Sequence, residues 1–250
     1  MVLVYVNNML IIGDSLSLIE ETKSTLQHAF KIKDLGELKY FLGIEFVRSK
    51  QGILMHQRKY ALELILKLGL GISKPSVTPL DTNAKLTTNE YDEHCKSVGY
   101  SAVEPLANIN SYQRLIGKLL YLTITRPAIS FNVQILSQFL QQPKRSHMEA
   151  SMRIVMYVKN QPGRGILLSS TNKNITTTYY DAEWAACPLS RKLVTGYLIK
   201  IGDSLVAWKL KKQITVPGSS AEAEYRSIRA IIADSFGYKD LCKKLELKLT

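Results

Sequence analysis

The sequence predicts a mixed α+β / α/β protein in three consecutive parts, and three observations carry that reading. An apolar run, an Asn-Asn pair and a second apolar run open the chain between Val2 and Ile12. The middle carries helical stripes with apolar residues at i, i+3, i+4 and i+7. The end is a series of short β-rich runs separated by turn residues, followed by one helix.

The opening stretch, Val2-Leu3-Val4-Tyr5-Val6-Asn7-Asn8-Met9-Leu10-Ile11-Ile12, reads as a β-hairpin buried on at least one face, with Asn7-Asn8 as its tight turn. Asn tolerates positive φ better than most residues, which suits it to that place. Ser17-Leu18-Ile19-Glu20 has a capping-box pattern, in which the Ser hydroxyl and the Glu carboxylate satisfy free amides at a helix start. Ile19, Leu26 and Phe30 then recur on one face, so a helix is expected over 18–30. Asp34-Leu35-Gly36 turns the chain into strands over 38–48 and 53–56, joined by Ser49-Lys50-Gln51-Gly52.

A helix is expected over 57–68, with Tyr60, Ala61, Leu64, Ile65 and Leu68 on one side and Gly69 as its stop. From 71 to 110 the chain turns polar and loses its period, which predicts an extended linker along the surface. Three helices follow. Tyr112, Leu115, Ile116, Leu119 and Leu120 mark the first, and Pro127 sits at the start of the second, which carries Ile129, Val133, Leu136 and Leu140. The third covers 147–159 and ends at Asn160-Gln161-Pro162-Gly163. Strands are then expected over 165–169, 175–180, 196–201 and 205–208, with a helix over 220–235.

Composition narrows the function. At 250 residues one or two domains is the prior, and 46% hydrophobic with 22% charged residues is ordinary globular material. Lys and Arg number 33 against 21 acidic residues, a formal charge of +12, which favours a polyanionic partner. The three cysteines, Cys95, Cys187 and Cys242, have neither zinc-site nor disulfide spacing and fit a reducing compartment. No apolar stretch approaches the ~18 residues that span a bilayer. No signal or transit peptide is evident. An intracellular location (nuclear, cytoplasmic or mitochondrial) is the expectation, without membrane or small-molecule partners.

Several segments in order resemble the Pol polyprotein of copia-type retrotransposons: the opening hairpin, Lys33-Asp34-Leu35-Gly36, Tyr40-Phe41-Leu42-Gly43-Ile44-Glu45 and Thr78-Pro79-Leu80. So do Tyr112, Gly117, Leu119, Tyr121, Leu122, Arg126, Pro127 and Ile129, with Ala128 where the family usually has Asp. Asp181-Ala182-Glu183-Trp184-Ala185, Thr195-Gly196-Tyr197, Gly202-Asp203-Ser204, Trp208, Lys211-Lys212-Gln213 and Ser219-Ser220-Ala221-Glu222-Ala223-Glu224-Tyr225 complete the resemblance, which spans essentially the whole chain. It implies the rear half of a reverse transcriptase palm over 1–56, a helical thumb and connection over 57–163, and a truncated ribonuclease H-like sheet with one helix over 164–250. Similar fragments occur in plant nuclear and mitochondrial genomes, so a plant source is favoured.

The chemistry that the resemblance implies needs carboxylates. Two divalent ions about 3.5–4 Å apart activate the nucleophile and stabilise the leaving oxygen, and Mg²⁺ takes oxygen ligands. The family hairpin carries Asp-Asp where this chain has Asn7 and Asn8, neutral amides that offer only a carbonyl oxygen. Asp181 and Glu224 match two ribonuclease H ligands. Glu224 is a better match than Glu222, which points to another helix face. The later acids of that site, the fingers and the first palm acid are expected to be missing, so Mg²⁺ would bind weakly at best.

Three readings stay open. The first is a Pol fragment that no longer catalyses. The second is a module that holds RNA, DNA or an RNA–DNA hybrid through Lys209, Lys211, Lys212 and Arg226 without cutting it. The third is an unstable product with unburied apolar faces.

Overall fold

The computed structural model describes residues 1–13, 15–81, 86–89, 91–92, 106–171, 175–183 and 194–212, with scattered positions between 219 and 232. Among these are three antiparallel sheets and a helical core. Strands β1 (Val2–Tyr5) and β2 (Asn8–Ile11) form the opening hairpin, with Tyr5 paired to Asn8. The turn is therefore Val6-Asn7, one residue earlier than the expected Asn7-Asn8, because this register lets Met1 continue the ladder to Ile12. Val6 sits at φ 51°, unusual for a β-branched residue. The expected burial is also corrected. All four residues of β1 are exposed and Val6 is 80% exposed, because no third strand or helix covers this hairpin among the described residues.

Helix α1 (Leu16–Ala29) starts at Ser15, whose hydroxyl accepts from the Leu18 amide at 3.4 Å. The expected Ser17–Glu20 box does not form: Ser17 meets Ser15 instead, at 2.8 Å between hydroxyls, and Glu20 turns to Lys23. The apolar face is only partly used, with Ile19 and Leu26 half-buried and Phe30 exposed. The expected strand over 38–48 is broken in two, β3 (Tyr40–Phe41) and β4 (Ile44–Ser49), by Leu42-Gly43, both at positive φ. Glycine takes that conformation freely, and two-residue turns with positive φ match the twist of a hairpin.

Strand β5 (Gly52–His56) pairs with β4 on one side and with β6 (Gly165–Ser169) on the other. The sheet order is β3-β4-β5-β6. A strand far along the chain thus closes on the early ones. Two glycines permit the approach: a Cβ at Gly52 would lie 1.9 Å from the Leu168 carbonyl oxygen, and one at Gly165 2.0 Å from that of Met55.

The helices follow the expected bounds closely: α2 (Arg58–Lys67), α3 (Ile109–Leu122), a 3₁₀ turn (Pro127–Ile129) leading into α4 (Ser130–Ser137), and α5 (Arg145–Asn160). Their stripes form the main core, in which Ala61, Ile116, Leu119, Val133, Ile154 and Val158 are fully or almost fully buried. Each of the buried Leu, Ile and Val side chains contributes roughly 1.5–3 kcal/mol by leaving water. Tyr112 reaches across it to donate to the Leu136 carbonyl at 2.8 Å.

The described residues of the polar segment after α2 are tied to α5 at intervals, and residues 89, 91 and 92 are helical where an extended linker is expected. Lys159 Nζ donates to the carbonyls of Leu70, Gly71 and Ser73; the Ser76 amide donates to Met156; Arg153 donates to Thr78; and Lys144 holds Thr87, Thr88 and Asp92. The third sheet has order β7-β8-β9, from β7 (Thr176–Glu183), β8 (Val194–Ile201) and β9 (Ser204–Lys212). It meets the rest through Trp208, whose indole donates to Thr123 O at 3.2 Å, and Ser204, whose hydroxyl accepts from the Ser169 amide at 2.8 Å.

Candidate functional site

The hairpin tip presents Asn7 in the turn and Asn8 at the first position of β2, both exposed. Tyr5 of the hairpin lies within electrostatic reach of a group of tyrosines. Tyr60 of α2 and Tyr121 of α3 pack edge to face with ring centroids 5.0 Å apart. Burial pushes the Tyr121 hydroxyl up, a hydrogen bond with Gln57 opposes this in part, and Tyr40 and Tyr5 add to the rise. A Cβ on Gly43 would come within 2.8 Å of that hydroxyl, so the Leu42-Gly43 turn is what admits it. Tyr5 belongs to the hairpin, Tyr40 to β3, and the other two to helices. Four stretches that look unrelated along the chain thus come near one another on the hairpin side.

A buried polar seam continues inward. Thr125 donates to Gln57 Oε1 at 2.8 Å, and Gln57 is fully buried at the start of α2. Next to Thr125, Arg126 donates through Nη2 to the carbonyls of Gln161, at 2.8 Å, and Pro162, at the end of α5. A cation there suits the negative end of the helix dipole. Burial and the neighbouring Arg164 bring the Arg126 guanidinium down to about 10, so it stays charged at neutral pH. Arg126 was legible as a motif residue but not as a helix cap, because its partners lie 35 and 36 positions away.

The remaining expected site residues are more dispersed. Asp181 is exposed on β7 opposite Gly196 of β8. Glu224 is helical and exposed. Among the described residues no hydrogen bond or ion pair joins the two. Lys209 is exposed on β9 opposite Tyr197, and the backbone of Lys211 pairs with Thr195. Lys212 pairs with Val194 through the backbone, whereas the side chains of Lys211 and Lys212 and the whole of Arg226 lie outside the described residues.

Reverse transcriptases generally use Mg²⁺, and the donor set can be tested for it. Among the described residues no group of three or more His, Cys, Asp or Glu side chains is placed to hold a metal ion. At the hairpin the amides carry no negative charge, and the nearby groups are phenols. These residues do not fit a divalent ion held by carboxylates. Also among the described residues, no helix is long and apolar enough to cross a membrane.

The fold is of the mixed α+β class, and comparison with known proteins supplies the family. Residues 1–82 match the reverse transcriptase (RNA-dependent DNA polymerase) family. The retrovirus-related Pol polyprotein from transposon RE1 of Arabidopsis thaliana is 36% identical over 99% of this chain and 16% of its own length. That from transposon TNT 1-94 of Nicotiana tabacum is 32% identical over 89% of this chain, again 16% of its own length. An uncharacterized mitochondrial protein of Arabidopsis thaliana is 31% identical over 93% of this chain and 91% of its own. No solved structure matches the chain significantly. The chain belongs to the reverse-transcriptase-related Pol family of copia-type retrotransposons. It spans about a sixth of the length of the transposon polyproteins that it matches.

Proposed function

We propose that this chain is a Pol-derived fragment that does not catalyse DNA synthesis or RNA cleavage on its own. The observation that supports it is the hairpin tip, where Asn7 and Asn8 stand exposed in place of the two carboxylates of the family pattern. Phosphoryl transfer by two metal ions relies on carboxylates to hold the ions and offset their charge. Neutral amides supply neither the charge nor a bidentate grip. Asp181 and Glu224 make a similar case for the end sheet, since two exposed carboxylates are a weak Mg²⁺ site. In a primer-extension assay on a primed RNA template with Mg²⁺, the purified chain should leave the primer at its starting length. Extension above a no-protein control would reject the proposal.

A second reading, retention of RNA–DNA hybrid by a basic surface, is favoured by the charge of +12 and by exposed Lys209. Binding of that kind releases counterions and falls steeply with salt. A filter-binding titration should show affinity for hybrid that drops by on the order of tenfold or more between 50 and 200 mM salt. Affinity that salt leaves unchanged would count against this reading.

A further inference from the structure

The segment strapped along α5 holds a half-used anion fork. Three cations of α5 and its N-cap, Lys159, Arg153 and Lys144, hold this segment to the helix. Two are saturated. Lys159 Nζ has three carbonyl acceptors, and Lys144 Nζ has Thr87 Oγ1, the Thr88 carbonyl and the Asp92 carboxylate. An ammonium has three donors, so neither has one to spare.

Arg153 differs. Its Nη2 donates to Thr78 Oγ1 at 3.0 Å, while its Nε is shielded from solvent and has no hydrogen-bond partner among the described residues. Nε and Nη2 lie on one edge of the guanidinium and together form the fork that grips a carboxylate or phosphate with two parallel bonds. One prong rests on a neutral hydroxyl and the other is idle. The threonine beneath it is exposed, is followed by Pro79, and lies in a stretch without helix or strand. A residue before proline is held extended. Exposed Val77 and Ile72 show that the surrounding segment is open to a large partner.

We propose that Thr78 is a phosphorylation site for a proline-directed protein kinase, with Arg153 as the receptor for the phosphoryl group. Thr78 Oγ attacks the γ-phosphorus of kinase-bound ATP. An O–P bond forms as the bond to the β,γ-bridging oxygen breaks, ADP leaves, and the hydroxyl proton passes to the kinase's base. The product carries close to two negative charges and three acceptor oxygens. Two of those oxygens can fill both prongs of the Arg153 fork, converting the weakest tie of the strap into its strongest. The proposal does not depend on whether the chain binds nucleic acid.

The test uses the full chain and, as a substrate control, a synthetic peptide of residues 72–82. Each is incubated with a proline-directed kinase and ATP, and the modified residue is mapped by mass spectrometry. Thr78 of the full chain should take up phosphate, and Thr78→Ala should remove that signal. Thermolysin cleavage before Val77 should then slow by about fivefold. The protection should vanish in Arg153→Gln and be reduced in Arg153→Lys, which keeps the charge but loses the fork. A peptide that is phosphorylated while the chain is not would overturn the site. Failure of both to be phosphorylated would do the same. Protection that is absent, or equal in Arg153→Gln, would overturn the receptor.

Discussion

Val6 holds a conformation with φ 51° that costs a β-branched residue about 1 kcal/mol or more. That strain is a cost of the register that places Asn7 in the turn and Asn8 in the strand, a register held by the pairing from Tyr5–Asn8 out to Met1–Ile12. Val6→Gly should relieve it, slowing hydrogen exchange of the β1 and β2 amides by several-fold. Unchanged or faster exchange would show that the turn is not strained. The Asn pair was legible as a turn signal, but the one-residue shift was not, since Val gives no hint of positive φ. His147 was legible only as the start of a helix. It is fully buried and stacked on Phe139 at 3.9 Å, and its Nδ1 accepts from the Lys144 amide. Burial first, then the Lys144 charge, bring its imidazole down from 6.5 to about 4. The unfolded chain binds a proton near 6.5, and the folded one resists it until about 4. Stability is therefore level above that window and falls as pH drops through it, by on the order of 3 kcal/mol in all. Urea midpoints at pH 7 and 4.5 should show this drop, and His147→Gln should flatten it.

Helix α5 is the element on which the most depends. One side enters the core through Ile154, Val155 and Val158, while Arg153 and Lys159 on its other side, with Lys144 at its N-cap, hold the strap. The apolar side was legible from period alone. The strap was not, because its ties join side chains to backbone carbonyls and hydroxyls more than 50 positions away, which no local pattern records. Lys144 is almost wholly buried against Asp92. Burial pushes the Asp92 carboxyl up, but bonds from Lys144 and Thr87 outweigh it and hold the group below its usual range. Asp92→Ala strands a buried cation and should cost about 3 kcal/mol, read from urea unfolding. Replacing both residues by apolar ones of similar volume should recover much of that loss. The pairing of β5 with β6 is a second long-range feature. Gly52→Ala should expose the β6 amides to exchange, because its Cβ cannot fit against Leu168 O. Protection that survives the substitution would mean the two strands are not held in this register.

At the scale of the whole molecule, the order of motifs made the family readable, and the hydrophobic periods made the mixed α+β class readable. How the parts join was not readable. The link between β6 and β5, the Trp208 indole on Thr123, and the convergence of Tyr5, Tyr40, Tyr60 and Tyr121 all bring distant segments together. The exposed hairpin shows the opposite case: an apolar pattern that predicts burial, with β1 and β2 packed only on each other in the described sheets.

Loss of catalysis at the hairpin requires that its neutral tip does not hold a divalent ion. Titrating Mn²⁺ into the isotope-labelled chain, with Asn7→Asp/Asn8→Asp as the positive control, asks this directly. Paramagnetic broadening of the residue 6–9 amides should appear in the double variant at concentrations that leave the parent chain untouched. Equal broadening in both would contradict the account.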